Sequence, residues 1–302
     1  GAFMLQAKYE MWDVFTGKPL AGNQLGVVPD AAGLSDKMMQ QIARELNLSE
    51  TIFFMPPQNP EHTAKVRIFM PLGELSFAGH PTVGGAVARA ARDGIASGEI
   101  ILEEGVGPVR CSVEGSANKG RASFAVPRRP VRMAFADSAE AVARASGLDT
   151  GDIASGSHEV SIWSAGVPFL MVPVKSLNAL AKVTVDPSRF TKLDVHRDGK
   201  IAAGYFYVAT GANAFQVRMF APWDGIAEDP ATGAAAAAFA GAVAAFEKRA
   251  DGVRAIEIVQ GVEMGRRSEI GLSISMQAGE IAEARISGEA VKIASGTLYL
   301  PD

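Results

Sequence analysis

The 302-residue sequence contains one cysteine, Cys111, so the chain can form neither an intrachain disulfide nor a metal site built from several thiolates. A single cysteine is typical of a protein of the reducing cytoplasm. The four histidines are also far apart, and none is paired at the i,i+4 spacing that is typical of zinc-binding helices. We therefore expect a cytoplasmic protein without a bound metal.

The sequence also lacks the patterns that indicate nucleic-acid, membrane or nucleotide binding. Its formal net charge is -4, and no cluster of basic and aromatic residues is present. The most apolar stretch, Gly233–Phe246, has the length of a core helix and is too short to span a bilayer. No GxxxxGK[ST] loop and no GxGxxG turn after a strand occur. These absences predict a protein without nucleic-acid or membrane partners and without a nucleotide cofactor.

Two similar stretches occur in the same order in the two halves of the chain. Residues 67–71 (RIFMP) resemble residues 218–222 (RMFAP), and each is followed by a proline, a threonine, glycine and an alanine-rich segment. The offset between the halves, about 150 residues, is far longer than the period of a solenoid. The pattern therefore predicts two related domains rather than a repeat array.

Hydrophobic periodicity predicts strands through most of both halves and an amphipathic helix at 35–46. The two alanine-rich segments are nearly apolar on all sides, which is typical of helices enclosed by other elements. We predict an α+β fold of two similar domains, each a curled, mostly antiparallel sheet wrapped around a central helix. A proline-flanked stretch at 127–130 places the boundary between domains at 1–128 and 129–288, with a strand at 289–302 returning to the first.

The two alanine-rich helices begin near ionisable residues. His80 and Asp229 each precede a proline, as expected for a cap followed by proline at the first helical position. The first amides of a helix have no intrahelical partner and can bind a small anion. Capping alone is an alternative explanation for Asp229, and a satisfied histidine at a helix start is the alternative for His80.

Glu50 directly precedes the strongly apolar stretch 51–55. Apolar surroundings raise the pKa of a carboxyl group, and such a group can both take and give a proton. The alternative is a solvated glutamate at a strand end.

Together the motifs NLSET, FAGHPTVGGA, RMFAPWDGIAEDPATGAAA, VQGVEMGR and GKPLAGNQLGVV resemble the PhzF phenazine-biosynthesis family over essentially the whole chain. The resemblance implies the diaminopimelate epimerase-like fold, a homodimer, and a cofactor-independent isomerase acting on a small carboxylate. It implies Glu50 as the general acid/base, with His80 and Asp229 shaping and polarising the site. The candidate substrate-binding residues are Asn23, Gly79, Thr82, Val83, Gly84, Thr232, Gly233 and Ala234.

Three positions depart from the phenazine enzymes that this chain resembles. Those enzymes have a serine where this chain has Ala234, and prolines where it has Gln24 and Ser76. The missing hydroxyl at Ala234 removes a possible hydrogen bond to the substrate. A small carboxylate other than the phenazine precursor is therefore expected. The alternative function is a catalytically inactive protein that binds small anions at its two helix N-termini. For Asn23, a turn-forming role is the alternative to substrate binding.

Overall fold

The structure is a computed structural model that describes residues 5–154 and 156–301. The chain divides into two compact units, which are described separately below. Unit 1 comprises residues 1–125 and 287–302, and unit 2 comprises residues 126–286. Among the described residues, no helix is both long enough and apolar enough to cross a lipid bilayer.

Within the described part of unit 1, eight strands and two helices begin and end inside the unit. The strands are β1 (Leu5–Val14), β2 (Asn23–Val28), β3 (Glu50–Met55), β4 (Ala64–Met70), β5 (Gly73–Leu75), β6 (Ser97–Glu104), β7 (Gly107–Gly115) and β8 (Lys119–Ala125), and the helices are α1 (Asp36–Leu46) and α2 (Gly79–Asp93). Neighbouring strands pair antiparallel except for β2 with β3 and β4 with β6, which are parallel.

The sheet of unit 1 curls around α2, which packs against β1, β2, β3, β6, β7 and β8. Most of the helix is buried because its first three turns consist almost entirely of glycine, alanine, valine and threonine. Small side chains let the strands approach closely: a Cβ added at Gly84 would lie 2.5 Å from Val14 Cγ2 and 2.6 Å from Leu25 Cδ2. The exterior helix α1 is capped by Ser35, whose side chain accepts a hydrogen bond from the Met38 amide.

Unit 2 has its own sheet, a central helix and a group of short helices. The strands are β9 (Val131–Met133), β10 (Ser161–Ser164), β11 (Pro168–Pro173), β12 (His196–Arg197), β13 (Lys200–Ile201), β14 (Ala203–Gly211), β15 (Ala214–Ala221), β16 (Ile226–Asp229), β17 (Gly252–Gln260), β18 (Ser268–Gln277) and β19 (Glu280–Leu300), which continues into unit 1. The helices are α3 (Ala139–Ala145), α4 (Leu177–Lys182), α5 (Pro187–Phe190) and the central α6 (Gly233–Phe246). In the core of this unit, Phe239 on α6 contacts the rings of Tyr205, Tyr207 and Phe215.

The two units repeat one topology. In unit 2, β11 runs parallel to β14, and β15 runs parallel to β17, as β2 does with β3 and β4 with β6 in unit 1. Each central helix follows the short strand β5 or β16 and precedes β6 or β17. The prediction of two similar domains, each with a mostly antiparallel curled sheet around a helix, is confirmed.

The predicted starts of the two central helices are wrong. Helix α2 begins at Gly79 with Ala78 as its N-cap, and α6 begins at Gly233 with Thr232 as its N-cap. Neither N-cap side chain forms a capping hydrogen bond with its own helix. His80 is the second residue of its helix, and Asp229 ends the strand before the other helix.

The strand β19 is longer than the expected strand at 289–302, and the three short helices had no counterpart in the sequence analysis. The strand β19 pairs antiparallel with β1 from Leu5 opposite Leu300 to Val14 opposite Ala290, with an irregularity between Met11 and Trp12. The second half of β19, residues 291–300, is mostly half-buried or exposed. The short helices α3, α4 and α5 contain four to seven residues, which is too few for a clear helical period.

Candidate active site

In unit 1, the starts of two parallel strands and the first turn of α2 bring the candidate catalytic residues together. Asn23 is the first residue of β2 and Glu50 is the first residue of β3, and these strands are adjacent and parallel. Parallel strands begin at the same edge of a sheet, so both side chains lie at that edge. His80, in the first turn of α2, approaches them there.

The contact between His80 and Glu50 is the central feature of this cluster. The Nδ1 atom of His80 lies 3.3 Å from Oε2 of Glu50, and the two side chains are 4% and 13% exposed. The Asn23 Nδ2 atom lies 3.5 Å from the same His80 nitrogen, at the outer limit of a hydrogen bond. Ser49 donates a hydrogen bond of 3.1 Å to Asn23 Oδ1. His80 therefore contacts a carboxylate that is largely withdrawn from water, and Asn23 and Ser49 extend the cluster behind His80.

Burial determines the charge state of the histidine. Removal from water disfavours the imidazolium ion and lowers the pKa of His80 to about 3, so the ring is neutral near pH 7. The Gln24 backbone opposes only part of this shift, and Nε2 has no hydrogen-bond partner of normal geometry among the described residues. A buried polar atom without a partner is unusual in folded proteins and indicates a functional position or strain.

The other predicted residues of unit 1 occupy different positions along α2. Gly79 and His80 are its first two residues, so their amides have no partner within the helix. Thr82 is fully buried, and its hydroxyl lies within hydrogen-bonding distance of the Ala78 carbonyl and the Glu104 carboxyl group. Val83 and Gly84 lie further inside the helix, where the amide of Gly84 is no longer at the helix start. The amides at the start of α2 that have no intrahelical partner are therefore those of Gly79 and His80.

In unit 2, Asp229 and Thr232 form a buried polar cluster with Gln260. The Thr232 hydroxyl donates a hydrogen bond of 2.5 Å to Asp229 Oδ2, and its amide donates one of 3.1 Å to Gln260 Oε1. The Gln260 amide nitrogen donates to the Asp229 carbonyl at 2.8 Å and contacts the Thr232 hydroxyl at 2.9 Å. These bonds fix the last residue of β16 and the N-cap of α6.

Gly233 and Ala234 are the first two residues of α6, so their amides are free of intrahelical bonds in the same way as those of Gly79 and His80. Counted from the N-caps, Ala234 occupies the position that His80 occupies in the other unit. The predicted equivalence of His80 and Asp229 is therefore wrong: counted from the N-caps, the two residues stand five places apart in the repeated architecture. The reason is that the helices begin at Gly79 and Gly233, and neither Pro81 nor Pro230 stands at the first helical position.

The repeated arginines fix strands rather than a site. Arg67 binds Glu74 and Asp36, with nitrogen–oxygen distances of 2.7 and 2.5 Å. Arg218 binds Glu228 at 2.8 Å and donates to the Leu180 carbonyl. Both arginines therefore link β4 or β15 to the following short strand. Cys111 is buried in unit 1.

The sequence analysis missed three polar residues that support these clusters. Ser49 lies within the quoted NLSET motif but was not identified as a functional residue. Gln260, which is fully buried, lies within the quoted VQGVEMGR motif but was not identified as a functional residue, and the same is true of the buried Glu104, which no quoted motif contains. Each of these residues bonds to a partner far away in the chain, so only a prediction of strand register would have identified them. Among residues 5–154 and 156–301, no group of three or more His, Cys, Asp or Glu side chains is placed to hold a metal ion.

Comparison with known proteins identifies the family. Residues 12–296 match the phenazine biosynthesis-like protein family (PhzC-PhzF). The chain is 44% identical to an uncharacterized isomerase of Mesorhizobium japonicum, over 98% of this chain and 100% of the relative. It is 32% identical to the trans-2,3-dihydro-3-hydroxyanthranilate isomerase of Pseudomonas aeruginosa, over 97% and 99% of the two chains.

Solved structures show the same fold. The Bacillus anthracis phenazine biosynthesis protein of the PhzF family superposes with a TM-score of 0.84 at 24% identity, covering 98% of this chain and 99% of that one. A hydroxyproline epimerase of Agrobacterium vitis, with a TM-score of 0.62 at 13% identity and coverage of 98% and 93%, shares the fold. The architecture is thus diaminopimelate epimerase-like, and the chain belongs to the PhzF family of isomerases.

Proposed function

We propose that this PhzF-family isomerase moves a proton between carbons of a small carboxylate without a cofactor, and that Glu50 is its general acid/base. The observation that carries the proposal is the 3.3 Å contact between Glu50 Oε2 and His80 Nδ1 at the first turn of a buried helix. A carboxyl group at this position can exchange a proton with a substrate while the surrounding protein excludes water.

The proposed reaction needs only this chain's own groups. Glu50, as a carboxylate, accepts a proton from a carbon of the substrate, and the electron pair of the broken C–H bond is delocalised within the substrate. Glu50, now a neutral acid, returns the proton to a different carbon and becomes a carboxylate again. The net result is an isomer with no change in oxidation state, so no co-reactant is required.

Backbone amides supply stabilisation for the negative charge that develops. The first two amides of α2, from Gly79 and His80, have no intrahelical partner and lie at the positive end of the helix dipole. We assign the amides of Gly233 and Ala234 the equivalent role in unit 2. A neutral His80 serves this chemistry better than an imidazolium ion would, since a cation beside Glu50 would hold it ionised and make it a weaker base.

We assign Asp229 to shaping the start of α6 in unit 2 through Thr232. The 2.5 Å bond from the Thr232 hydroxyl holds the Asp229 carboxyl group against the N-cap of α6. Asn23 is assigned to positioning as well, because it lies between Ser49 and His80 and is 2% exposed. This placement favours a role at the site over a purely turn-forming one.

For the substrate, we propose a small carboxylate other than trans-2,3-dihydro-3-hydroxyanthranilate, the compound in the name of the 32% identical relatives. The support is the alanine at position 234, which supplies an amide but no hydroxyl at the start of α6. A panel of small carboxylates that includes this compound tests the proposal. Efficient turnover of the named compound by the wild-type chain would overturn the substrate proposal and leave the proton-transfer proposal intact.

The decisive experiment measures incorporation of deuterium from heavy water into candidate carboxylates, by NMR, for wild type and Glu50→Gln. We expect the substitution to reduce exchange by at least about 10²- to 10⁴-fold, the usual contribution of a positioned acid/base. Glu45→Gln, at an exposed glutamate on α1, is the matched control and should exchange like wild type. Exchange that persists unchanged in Glu50→Gln removes Glu50 from the proposed role.

Simple anion binding is the alternative function, and the same experiment distinguishes it. Binding would need only the free amides at the helix starts, whereas proton transfer needs Glu50. A carboxylate that binds in calorimetry but exchanges no proton in the wild type would favour binding alone. The homodimer and the cytoplasmic location stay predictions, and light scattering of the purified chain tests the first.

A further inference from the structure

Glu104 is a buried carboxyl group that the proposed reaction does not use. It is the last residue of β6, it is 7% exposed, and its Oε2 and Oε1 atoms lie 2.9 and 3.2 Å from the Thr82 hydroxyl. The same hydroxyl lies 2.7 Å from the Ala78 carbonyl oxygen. Ala78 is the N-cap of α2, and Thr82 is in the turn that follows, so Glu104 is connected to the start of the helix that carries His80.

The proton count of this cluster points to a neutral Glu104. The Thr82 hydroxyl has a single proton, and a carbonyl oxygen can only accept. If Thr82 donates to Ala78, its contact with Glu104 is a hydrogen bond only when Glu104 carries a proton and donates it. An ionised Glu104 would compete with the carbonyl for that proton and would leave one contact unsatisfied.

The second unit contains the amide counterpart of this arrangement. In unit 2, Gln260 pairs with Val217, the residue before Arg218. In unit 1, Lys65 pairs with Glu103, and continuing this parallel register places Glu104 beside Val66, the residue before Arg67. Glu104 and Gln260 therefore occupy equivalent positions. Gln260 donates from its amide to Thr232, the N-cap of α6, and a protonated carboxyl group is the closest acidic mimic of an amide.

We propose that Glu104 is a positioning residue: as a neutral acid it donates to the Thr82 hydroxyl and thereby holds the first turn of α2, with His80, in place. The functional part of this inference rests on the proposed function, since the role of His80 is assigned there. Ionisation of Glu104 at alkaline pH would break the chain of donors and displace the turn.

The surroundings of Glu104 are consistent with a neutral acid. Burial raises the pKa of Glu104 to about 8, and the hydrogen bond with Thr82 opposes part of that shift. A groove of about 480 Å³ beside it is also lined by Lys65 and Arg67 of β4, Glu74 of β5 and Glu103 of β6. Arg67 is bound to Glu74, and Glu103 accepts from the amides of Gln58 and Asn59 and contacts His62. Across Thr82, the titratable groups of the helix start are His80 and Glu50.

An NMR titration of the histidine rings tests the proposal without any substrate. In protein labelled with ¹⁵N-histidine, the His80 resonance is identified by its loss in His80→Gln and followed from pH 6 to 9.5. We expect an inflection near pH 8 in wild type, which reports ionisation of Glu104 because the ring itself titrates near pH 3. Glu104→Gln, which keeps a donor, should retain the low-pH position of the resonance and lose the inflection.

Two further variants separate positioning from simple loss of a charge. Thr82→Val removes the connecting hydroxyl and should reduce or abolish the inflection at His80, while Glu114→Gln, at an exposed glutamate of β7, should leave it unchanged. Absence of an inflection in wild type, or its persistence in Glu104→Gln, would overturn the proposal.

Thermal unfolding gives a second readout. A raised folded-state pKa means that wild type loses stability as the pH rises from 4.5, the ordinary carboxyl value, to about 8. The unfolding midpoint of Glu104→Gln should therefore exceed that of wild type by a margin that grows over this range. A constant difference would also contradict a neutral Glu104. Neither readout depends on turnover, so failure of the deuterium exchange experiment would not be confused with failure here.

Discussion

His80 Nδ1 lies 3.3 Å from Glu50 Oε2, and this contact joins the second residue of a buried helix to the first residue of a buried strand. The two residues are thirty positions apart in the sequence, so the contact depends on how β3 and α2 pack.

The first prediction concerns the acid side of the stability profile. The pKa of His80 falls from 6.5 in the unfolded chain to about 3 in the fold, so the unfolded state binds the proton first as the pH falls. The contribution of the neutral His80 ring to the free energy of unfolding is therefore fully present above pH 6.5. It is lost as the pH decreases toward 3, by up to about 1.4 kcal/mol per pH unit. His80→Gln lacks this proton and should lose less stability over that window.

Urea unfolding of wild type and His80→Gln at several pH values measures this difference. His196→Gln removes an exposed ring and serves as the control, which should follow wild type at every pH. Parallel curves for wild type and His80→Gln between pH 6.5 and 4 would show that the ring is not held neutral by burial.

The second prediction concerns Asn23. Asn23→Ala removes the group next to His80 Nδ1, and it leaves the half-buried Ser49 hydroxyl without its acceptor. We expect the free energy of unfolding to fall by about 1–3 kcal/mol, the usual cost of an unsatisfied buried group. Gln41→Ala on the exposed face of α1 should change it by no more than about 0.5 kcal/mol. An unchanged stability would place Asn23 outside the buried network.

The third prediction tests the close approach of α2 to the sheet. In Gly84→Ala, the new methyl group would lie within 2.6 Å of side-chain carbons of Val14 and Leu25, which are fully buried. Overpacking of this kind should destabilise the protein by about 1–3 kcal/mol in chemical denaturation. Gly73→Ala is a suitable control, since no heavy atom lies within 4 Å of its added Cβ. Equal stability of the two variants would show that the sheet yields at this point.

The fourth prediction addresses the buried glutamine of unit 2. Gln260→Leu removes the acceptor for the Thr232 amide and the donor to the Asp229 carbonyl, both of which are buried. We expect a loss of about 2–5 kcal/mol in the free energy of unfolding, measured by denaturant titration, since two backbone groups lose partners of about 1–3 kcal/mol each. Gln277→Leu, at the exposed end of β18, is the control. A loss below 1 kcal/mol would mean that water or a shifted side chain replaces both bonds.

Local sequence patterns were sufficient for much of the fold. Helix α1 was predicted from Ser35 onward because an amphipathic period and a serine cap coincide there. Strands β4 and β15 are runs of alternating or largely apolar side chains bounded by turns, which is the local pattern that predicts strands. The resemblance between 67–71 and 218–222 predicted the repeated architecture, because each stretch encodes the same strand and the same arginine.

The positions of the helix starts were not encoded locally. Ala78 and Thr232 cap their helices without a side-chain hydrogen bond, so proline and ionisable residues nearby suggested the wrong first residue. The starts are instead held by Thr82 with Glu104 and by Thr232 with Gln260, pairs that are 22 and 28 residues apart in sequence.

The sequence by itself determined the two-domain β-rich architecture, the enclosed alanine-rich helices and the candidate residues Glu50, His80 and Asp229. Periodicity and small side chains are properties of neighbouring residues, so a single chain displays them without any tertiary information. Only the tertiary structure decided that His80 faces Glu50 and that Ala234 is the counterpart of His80. It also decided that Glu104 and Gln260 hold the helix starts. These relationships depend on strand register and on the burial of polar groups, which arise when distant segments pack and exclude water.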